Sequence, residues 1–173
     1  RILNTLDRND SRGIFFFSSE QLVAQDSLVR RVVGSGHGIG LLADGGTAEE
    51  SLRRMEKGNE LLSHIARTAA TGTLAPQEQR EALEAENWAC WRETVNGIPR
   101  TNERAAAAVQ RILRGIGTRS RTVRVTLDDS TATANLLPGL LDSLSQQGNQ
   151  EAFRVILPVE TIFRESQFWS LPF

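Results

Sequence analysis

The sequence is poor in the residues that most often carry chemistry. Its 173 residues include one cysteine, Cys90, and two histidines, His37 and His64. A single cysteine excludes an internal disulfide bond. Neither histidine has a second histidine at the spacing of a helical metal-binding pair, so the sequence has no two-histidine metal motif. No apolar stretch reaches the roughly 20 residues that are needed to span a bilayer.

The chain also lacks an excess of charge of either sign. Its 20 basic and 21 acidic residues give a net charge of −1, which offers no argument for nucleic acid or an anionic membrane as a partner. Hydrophobic residues make up 39% and charged residues 24%, as in ordinary globular domains. The chain begins at Arg1 without a methionine or a signal-like segment, so we interpret it as a processed or trimmed piece. The cellular compartment stays open.

Apolar segments of two kinds alternate along the chain. Short apolar runs, of which 14–17 is the clearest, predict strands that are buried on both faces. Longer segments with apolar residues at helical spacing predict helices. The predicted strands are about 14–17, 39–42, 68–73, 88–91, 122–127 and 153–157, and the predicted helices are about 1–8, 21–35, 47–66, 76–86, 102–114 and 133–147.

This alternation predicts an α/β fold built on a parallel sheet or a closed barrel. We expect the strands at 14–17 and 39–42 to pair as neighbours. Because the sequence has no internal repeat, low-complexity tract or linker, we predict a single domain over residues 1–173. The apolar tail at 168–173 is expected to pack back on the body or to contact a partner.

The glycine-rich segment at 34–46 resembles a nucleotide-binding loop only superficially. A dinucleotide fingerprint needs glycine at its first, third and sixth positions, directly after a strand. Counting from Gly34 the sixth position is Ile39, and counting from Gly36 it is Leu41. The segment also follows a predicted helix, and Lys57 lies outside any phosphate-binding glycine frame. Both nucleotide-binding interpretations are therefore rejected.

Polar residues at predicted strand ends are the candidate site. Asp128 and Asp129 follow the strand at 122–127, and carboxylates at the carboxyl end of a barrel strand lie where active sites form. Either could act as a base or metal ligand. The alternative is that Asp128 and Ser130 cap the next helix by accepting hydrogen bonds from its free N–H groups. The residues leave both interpretations open.

Three further residues are candidate ligand contacts. Glu93 and Trp91 lie at another predicted strand end, where a solvated loop charge is the alternative for Glu93. His37 lies at a helix-to-strand turn, where hydrogen bonding to the backbone is the alternative. A run of arginines that includes Arg111 and Arg124 is interpreted as a solvated face.

Several stretches together resemble the polysaccharide deacetylase family, the carbohydrate esterases that remove N- or O-acetyl groups from chitin, peptidoglycan or xylan. The stretches are 2–7, 13–17, 28–40, 125–130 and 136–141, which are similar to the family's first helix, its ATFF strand, its LVRRIVAEGHEIG helix and turn, its LLHD strand and its LPEIL helix. The resemblance covers most of the chain. It implies a distorted (β/α) barrel, often seven-stranded, with a divalent metal, usually zinc, held by one aspartate and two histidines.

The chain departs from the family at the residues that carry its chemistry. By the resemblance, the two metal histidines fall at Leu42 and Gly46. The histidine of the LLHD motif is replaced by Asp128, Asp129 is kept, and His37 matches a histidine that is not a ligand. The family's first strand, with its catalytic-base and metal aspartates, would lie before Arg1. Leucine and glycine cannot coordinate a metal, so the expected fold is this barrel without its first strand, and no metal ligand or cofactor is predicted.

The leading interpretation is a deacetylase-like domain that lacks metal-dependent catalysis and serves glycan binding or a structural role. One alternative is a hydrolase of acetylated glycans whose altered chemistry uses Asp128, Asp129 and His37. Another is a generic α/β binding domain with an open, doubly wound parallel sheet. A glycan is the predicted ligand, and no nucleic acid partner or membrane span is predicted.

Overall fold

The computed structural model describes residues 1–117 and 123–147. The chain divides into two compact units. Unit 1 contains Arg1–Ser11 together with the described residues from 92 to 147, and unit 2 is Arg12–Trp91. The extent of a single domain over 1–173 stays a prediction, and the expected strand at 153–157 and tail at 168–173 lie outside the described residues. Among the described helices, none is long and apolar enough to cross a membrane.

Helices and strands alternate along the described chain, as the sequence pattern predicts. The elements are α1 (Ile2–Arg8), β1 (Ile14–Phe17), α2 (Ser19–Ala24), α3 (Asp26–Gly34), β2 (Gly38–Leu42), α4 (Ala48–Ala66), β3 (Gly72–Leu74), α5 (Gln77–Ala85), β4 (Ala89–Cys90), β5 (Val95–Asn96), α6 (Ala105–Ile116), β6 (Val125–Thr126) and α7 (Thr131–Gln147).

Unit 2 is built on a parallel sheet of four strands in the order β1-β2-β3-β4. Phe16 of β1 lies opposite Gly40 of β2, and Leu42 of β2 lies opposite Leu74 of β3. The predicted pairing of the segments at 14–17 and 39–42 is therefore confirmed. Consecutive parallel strands joined by helices are the arrangement expected of βαβ units.

Helix α4 covers one face of this sheet. The side chain of Leu41 reaches the helix at Gly58, where a Cβ atom would lie 2.9 Å from Leu41 Cδ1. On the same face, Thr73 Oγ1 lies 3.7 Å from Met55 Sδ. The small residue in the helix lets the strand side chains pack closely, so this face holds much of the core of unit 2.

Aromatic rings close the opposite face of the sheet. The rings of Phe16, in β1, and Trp91, directly after β4, lie 6.1 Å apart between centroids, although β2 and β3 separate β1 from β4 in the sheet. Gly40 makes this contact possible, because a Cβ atom there would lie 2.5 Å from the Phe16 ring. Glycine in β2 therefore creates the space in which side chains from the outer strands meet.

Unit 1 packs helices α6 and α7 against the short parallel pair β5 and β6. Two glycines allow close approach: a Cβ at Gly97 would lie 2.8 Å from Leu127, and one at Gly115 would lie 3.0 Å from Val95. Helix α1 packs against α7. The buried core residues are Val95, Ala108, Val109, Ile112, Ile116, Leu136 and Leu140.

Two local predictions differ from the structure. The segment at 21–35 is predicted to hold one helix that begins near Asp26 and Ser27. Helix α3 does begin at Asp26, but a second helix, α2, precedes it, because Gln25 adopts φ −129° and ψ 41° between them. Ser18 and Gln21 form a complete capping box that starts α2 earlier than expected. Strand β5 is only two residues long, too short for a periodic pattern in the sequence, and it was not predicted.

Candidate ligand sites at the strand ends

The carboxyl ends of parallel strands are where α/β folds bind their ligands. In unit 2, the loop between β2 and α4, residues 43–47, leaves the carboxyl end of β2. In unit 1, the loop between β5 and α6, residues 97–104, and the turn between β6 and α7 occupy the same place relative to their strands. These three segments are the candidate sites of the described chain.

By the resemblance, the two metal histidines of the family fall at Leu42, at the end of β2, and at Gly46, in the β2–α4 loop. Leu42, the last residue of β2, is half-buried, and Gly46 is exposed in the loop. Neither side chain has an atom that can ligate a metal, so the residues present do not fit the group that the fold family implies. Among the described residues, no group of three or more histidine, cysteine, aspartate or glutamate side chains could hold a metal ion.

A buried polar network holds the backbone of this loop. The Gly45 N–H donates to Ser51 Oγ at 3.0 Å, and Gln79 Nε2 donates to the Gly45 carbonyl at 2.8 Å. Ser51 Oγ in turn donates to Gln79 Oε1 at 2.6 Å. Because both side chains are buried and paired, the loop conformation is fixed by neutral hydrogen bonds from α4 and α5.

The exposed side of the loop is held by charged residues of α4. The Gly46 N–H donates to Glu50 Oε2 at 3.0 Å, and Thr47 Oγ1 accepts from the Glu50 N–H at 3.2 Å. Arg54 donates to the Asp44 carbonyl at 3.0 Å and lies 3.7 Å from the Asp44 carboxylate. Thr47 therefore caps α4, the helix predicted at about 47–66, while the Glu50 carboxylate bonds to the N–H of Gly46.

The two glycines of this loop differ in what they allow. A Cβ atom at Gly45 would lie 2.4 Å from the Ser51 nitrogen, so only glycine fits there. A Cβ atom at Gly46 would lie 3.5 Å from Glu50 Oε2, which is an ordinary contact, and its φ is not positive. The fold therefore requires glycine at position 45 and admits a side chain at position 46.

In unit 1, Asp128 is part of the cap of helix α7. Its Oδ1 accepts hydrogen bonds from the Ser130 N–H at 3.3 Å and from the Ser130 hydroxyl at 2.6 Å, and also from the Thr133 hydroxyl. The Ser130 hydroxyl accepts from the Thr133 N–H at 3.1 Å. Partial burial acts to raise the pKa of Asp128, but the hydrogen bonds from Ser130 and Thr133 outweigh burial and lower that pKa.

The structure places the other predicted site residues in different surroundings. Asp129 and Glu93 are exposed in unit 1. In unit 2, Trp91 is only 6% exposed and packs against Phe16, and His37 is also 6% exposed. Nδ1 of His37 accepts from the Gly13 N–H at 3.2 Å, the backbone role weighed for it. Their roles in binding or catalysis stay predictions.

The sequence pattern did not predict the ion pair between Arg111 and Glu103 in unit 1. Arg111 Nε and Nη2 each lie 2.9 Å from an oxygen of the Glu103 carboxylate. The hydrogen bonds from Arg111 and from the Arg100 N–H lower the pKa of Glu103 to about 2. The Arg111 side chain is 17% exposed, so its interpretation as part of a solvated face is wrong. Its spacing of eight residues from Glu103 is not a helical pair and gave no signal.

The sequence matches no protein-family model and no curated protein. Solved structures do match. The polysaccharide deacetylase Bc1974 from Bacillus cereus superposes with a TM-score of 0.68 at 18% identity, over 85% of this chain and 81% of that one. The peptidoglycan deacetylase PdaC from Bacillus subtilis has a TM-score of 0.69 at 14% identity, over 95% of this chain and 88% of that one.

The structure of a pseudoenzyme also matches. BA3943 from Bacillus anthracis, a CE4 family pseudoenzyme, has a TM-score of 0.73 at 15% identity, over 89% of this chain and 59% of that one. This chain therefore spans less than two thirds of BA3943. Together these likenesses show that the chain has the polysaccharide deacetylase fold, with its parallel α/β arrangement. Closure into a barrel stays a prediction.

Proposed function

We propose that the chain is a deacetylase-fold domain that binds acetylated glycans without metal-dependent catalysis. The observation that carries this proposal is that Leu42 and Gly46, which by the resemblance fall where the family has its metal histidines, offer no ligand atom at the carboxyl end of β2. The glycan ligand is supported by the structural relatives, which include a polysaccharide deacetylase and a peptidoglycan deacetylase.

The physical argument is the size of the contribution that a bound metal makes to transition-state stabilisation. A bound metal supplies a deprotonated water and stabilises the developing oxyanion at neutral pH. Each 1.36 kcal/mol of lost transition-state stabilisation costs about tenfold in rate, so the loss of several kcal/mol removes measurable turnover. Binding of the sugar rings through hydrogen bonds and apolar contacts does not depend on that metal, so affinity can persist without catalysis.

The pseudoenzyme relative supports a reversible loss. A mutant of BA3943 is described as having restored enzymatic activity, which shows that, in that protein, catalysis can be regained on an inactive chain of this fold. In this chain the loop backbone is held by Ser51 and Gln79, and position 46 has room for a side chain. The loss of ligands therefore concerns side chains at two positions and not the course of the backbone.

The test uses chito-oligosaccharides and their deacetylated counterparts. We expect calorimetry to show binding of the acetylated oligomer, and we expect no release of acetate with or without added Zn²⁺. A sub-stoichiometric zinc content by elemental analysis completes the expected result. Stoichiometric zinc together with acetate release would contradict the proposal, and absence of glycan binding would remove its ligand.

A double variant, L42H/G46H, tests whether the side chains at these two positions account for the missing metal binding. We expect it to bind Ni²⁺ or Zn²⁺ measurably more tightly than the unchanged protein, because imidazole suits both ions. The variant G46H alone is the matched control, since it adds one imidazole without a second. Equal metal affinity in the double variant and the control would mean that the backbone, and not these two side chains, prevents metal binding.

A hydrolase that works through Asp128 is the alternative function. A general base at neutral pH is most effective when its pKa lies near that pH. The hydrogen bonds from Ser130 and Thr133 lower the pKa of Asp128 and employ its Oδ1 in capping. Asp129 is exposed and takes no part in the bonds of that cap, so a hydrolytic role would rest on Asp129.

A further inference from the structure

Strand β5 ends on the only asparagine of the chain that is followed by glycine, Asn96 before Gly97. In such a pair the glycine nitrogen can attack the asparagine side chain, because glycine has no Cβ atom to hinder the approach. The nitrogen forms a bond to Cγ and gives up its proton, the bond from Cγ to the side-chain nitrogen breaks, and ammonia leaves. Water then opens the succinimide ring to aspartate or to isoaspartate, in which the main chain runs through Cγ.

Packing in unit 1 favours glycine at position 97 for a reason unrelated to this reaction. A Cβ atom at Gly97 would lie 2.8 Å from Leu127 Cδ2, 2.9 Å from Val125 Cγ1 and 3.1 Å from the Thr126 carbonyl oxygen. A side chain there would have to displace both neighbouring side chains and press on the backbone of β6. The close packing therefore selects the residue that makes Asn96 chemically labile.

Hydrogen bonds in the folded chain hold the reacting groups apart. The Gly97 N–H donates to the Thr126 carbonyl at 2.7 Å and so continues the pairing of β5 with β6. The Oδ1 atom of Asn96 accepts from the Ile98 N–H at 3.0 Å. Side chains of a strand stand roughly perpendicular to the sheet, whereas the bonds between strands lie within it. The Gly97 N–H is therefore directed at β6 and not at the side chain that it would have to attack.

The guanidinium of Arg111 holds the peptide groups on both sides of Gly97. Its Nη1 donates to the Asn96 carbonyl at 2.9 Å and its Nη2 to the Ile98 carbonyl at 3.1 Å. The Glu103 carboxylate holds the guanidinium in turn, and we call this pair the clamp. Ring closure needs rotation about the bond between the Cα and the carbonyl carbon of Asn96, which the clamp opposes. A lysine ammonium cannot reproduce the planar fork that makes these bonds at once.

Access of water does not protect the site, because Asn96 is exposed. The clamp also stays formed at the neutral and mildly alkaline pH at which the ring closes, since the pKa of Glu103 is lowered to about 2, mainly by its hydrogen bond with Arg111. The rate in the folded chain is then set by the fraction of molecules in which the loop has opened locally.

We propose that Asn96 is a protected deamidation site, which the clamp shields and which local opening of the β5–α6 loop exposes. Conversion to isoaspartate adds a methylene group to the main chain where β5 pairs with β6, so the ladder of hydrogen bonds cannot close again in the same register. Opening of the loop is thereby recorded as an irreversible covalent change. The reaction needs only water, so the inference does not depend on the proposed function.

The test follows residue 96 by mass spectrometry in the full chain during incubation at mildly alkaline pH. Peptide mapping separates the asparagine, aspartate and isoaspartate forms. We expect the reaction in the folded protein to be at least about tenfold slower than in the urea-unfolded chain, the equivalent of about 1.4 kcal/mol of opening free energy. The variant N96Q is the chemical control, because its longer side chain would have to close a larger ring. Equal rates in the folded and unfolded chains would overturn the inference.

Two variants distinguish opening of the clamp from unfolding of the whole unit. R111K keeps the charge and breaks the fork, and we expect it to raise the rate at Asn96 about tenfold over the unchanged protein. D128A removes the cap of α7 and leaves the loop bonds intact, so we expect little change in it. R114K is the matched control, because Arg114 is exposed on the same helix. An unchanged rate in R111K, or an equal acceleration in D128A, would overturn the role of the clamp.

Amide hydrogen exchange in the unchanged protein decides the question if R111K does not fold. Exchange at Gly97 and ring closure both need the Gly97 N–H to leave the Thr126 carbonyl, and ring closure needs a further rotation. We therefore expect folding to slow deamidation at least as much as it slows exchange of this amide. Deamidation that is slowed less than exchange would mean that the ring closes without opening of the loop, and the inference would be wrong.

Discussion

The β2–α4 loop of unit 2 and the β5–α6 loop of unit 1 solve the same structural problem by different means. Each leaves the carboxyl end of a parallel strand, and side chains of the following helix help to hold each one. In the first loop, neutral groups of Ser51 and Gln79 bind the Gly45 backbone in a fully buried place. In the second, Arg111 and Glu103 form a charged clamp near the surface.

The difference shows that the course of a loop and its chemistry are separate properties. The β2–α4 loop keeps a defined backbone although positions 42 and 46 offer no ligand atoms. In the β5–α6 loop, Arg111 of α6 and Glu103 of the loop bind the loop backbone, and the aliphatic Ile98 stays exposed. The order of a strand-end loop is therefore not by itself evidence of catalysis.

The largest effect is expected when a methyl group is added at each glycine of the β2–α4 loop, which tests whether that loop is held rigidly. We expect G45A to lower the free energy of unfolding by about 3 kcal/mol, because its Cβ would overlap the Ser51 backbone nitrogen. The matched variant G46A should change it by less than about 0.5 kcal/mol. Denaturant titration measures both. Equal stability of the two variants would show that the loop relaxes freely and is not held by α4.

A smaller effect is expected at the turn between β6 and α7. We expect D128A to lower the free energy of unfolding by about 1 kcal/mol, because Asp128 and Ser130 cap the helix. The variant D129A, at an exposed neighbour, should stay within about 0.5 kcal/mol. Thermal unfolding compares the pair. A larger loss in D129A than in D128A would mean that the capping assignment is incorrect.

The smallest expected effect concerns the charged clamp and its dependence on pH. The pKa of Glu103 falls from its ordinary value of 4.5 to about 2 in the folded state. A carboxyl group whose pKa is lower in the folded state stabilises the fold at pH values above its unfolded pKa. This contribution to the free energy of unfolding is lost as the pH falls from about 4.5 through about 2. We expect the stability difference between the unchanged protein and E103Q to shrink over that range.

The control for the pH prediction lies in the neutral loop. The variant S51A removes a group that does not titrate, so its stability difference from the unchanged protein should not vary between pH 7 and pH 3 from this cause. Urea titrations at several pH values measure both variants. A pH-independent difference for E103Q would show that the carboxylate is not stabilised by Arg111.

Much of the fold follows from local patterns in the sequence. The run of apolar residues at 14–17 predicts a buried strand, and β1 is that strand. The helix predicted at about 47–66 is α4, whose start is capped by the Thr47 hydroxyl. Helix α2 was less predictable, because its capping box at Ser18 lies between a strand and a short helix with no periodic pattern of its own.

The candidate site was predictable only in part. The resemblance pointed to Leu42 and Gly46 as positions without ligands, and the structure puts them at the end of β2 and in the loop after it. The charges of Arg111 and Glu103 were visible in the sequence but not their partnership. A pair eight residues apart meets only because the loop between β5 and α6 turns back toward the helix.

The sequence by itself determined the alternation of strands and helices, because hydrophobic spacing and capping residues act over a few neighbouring positions. It also determined the absence of imidazole at positions 42 and 46, since no fold can supply an atom that a side chain lacks. Only the tertiary structure decided that glycine is required at position 45 but not at 46, that Trp91 and His37 are buried, and that one arginine orders a strand-end loop. Those outcomes depend on which groups far apart in the sequence come within a few ångströms of each other, and the spacing of neighbouring residues does not determine such contacts.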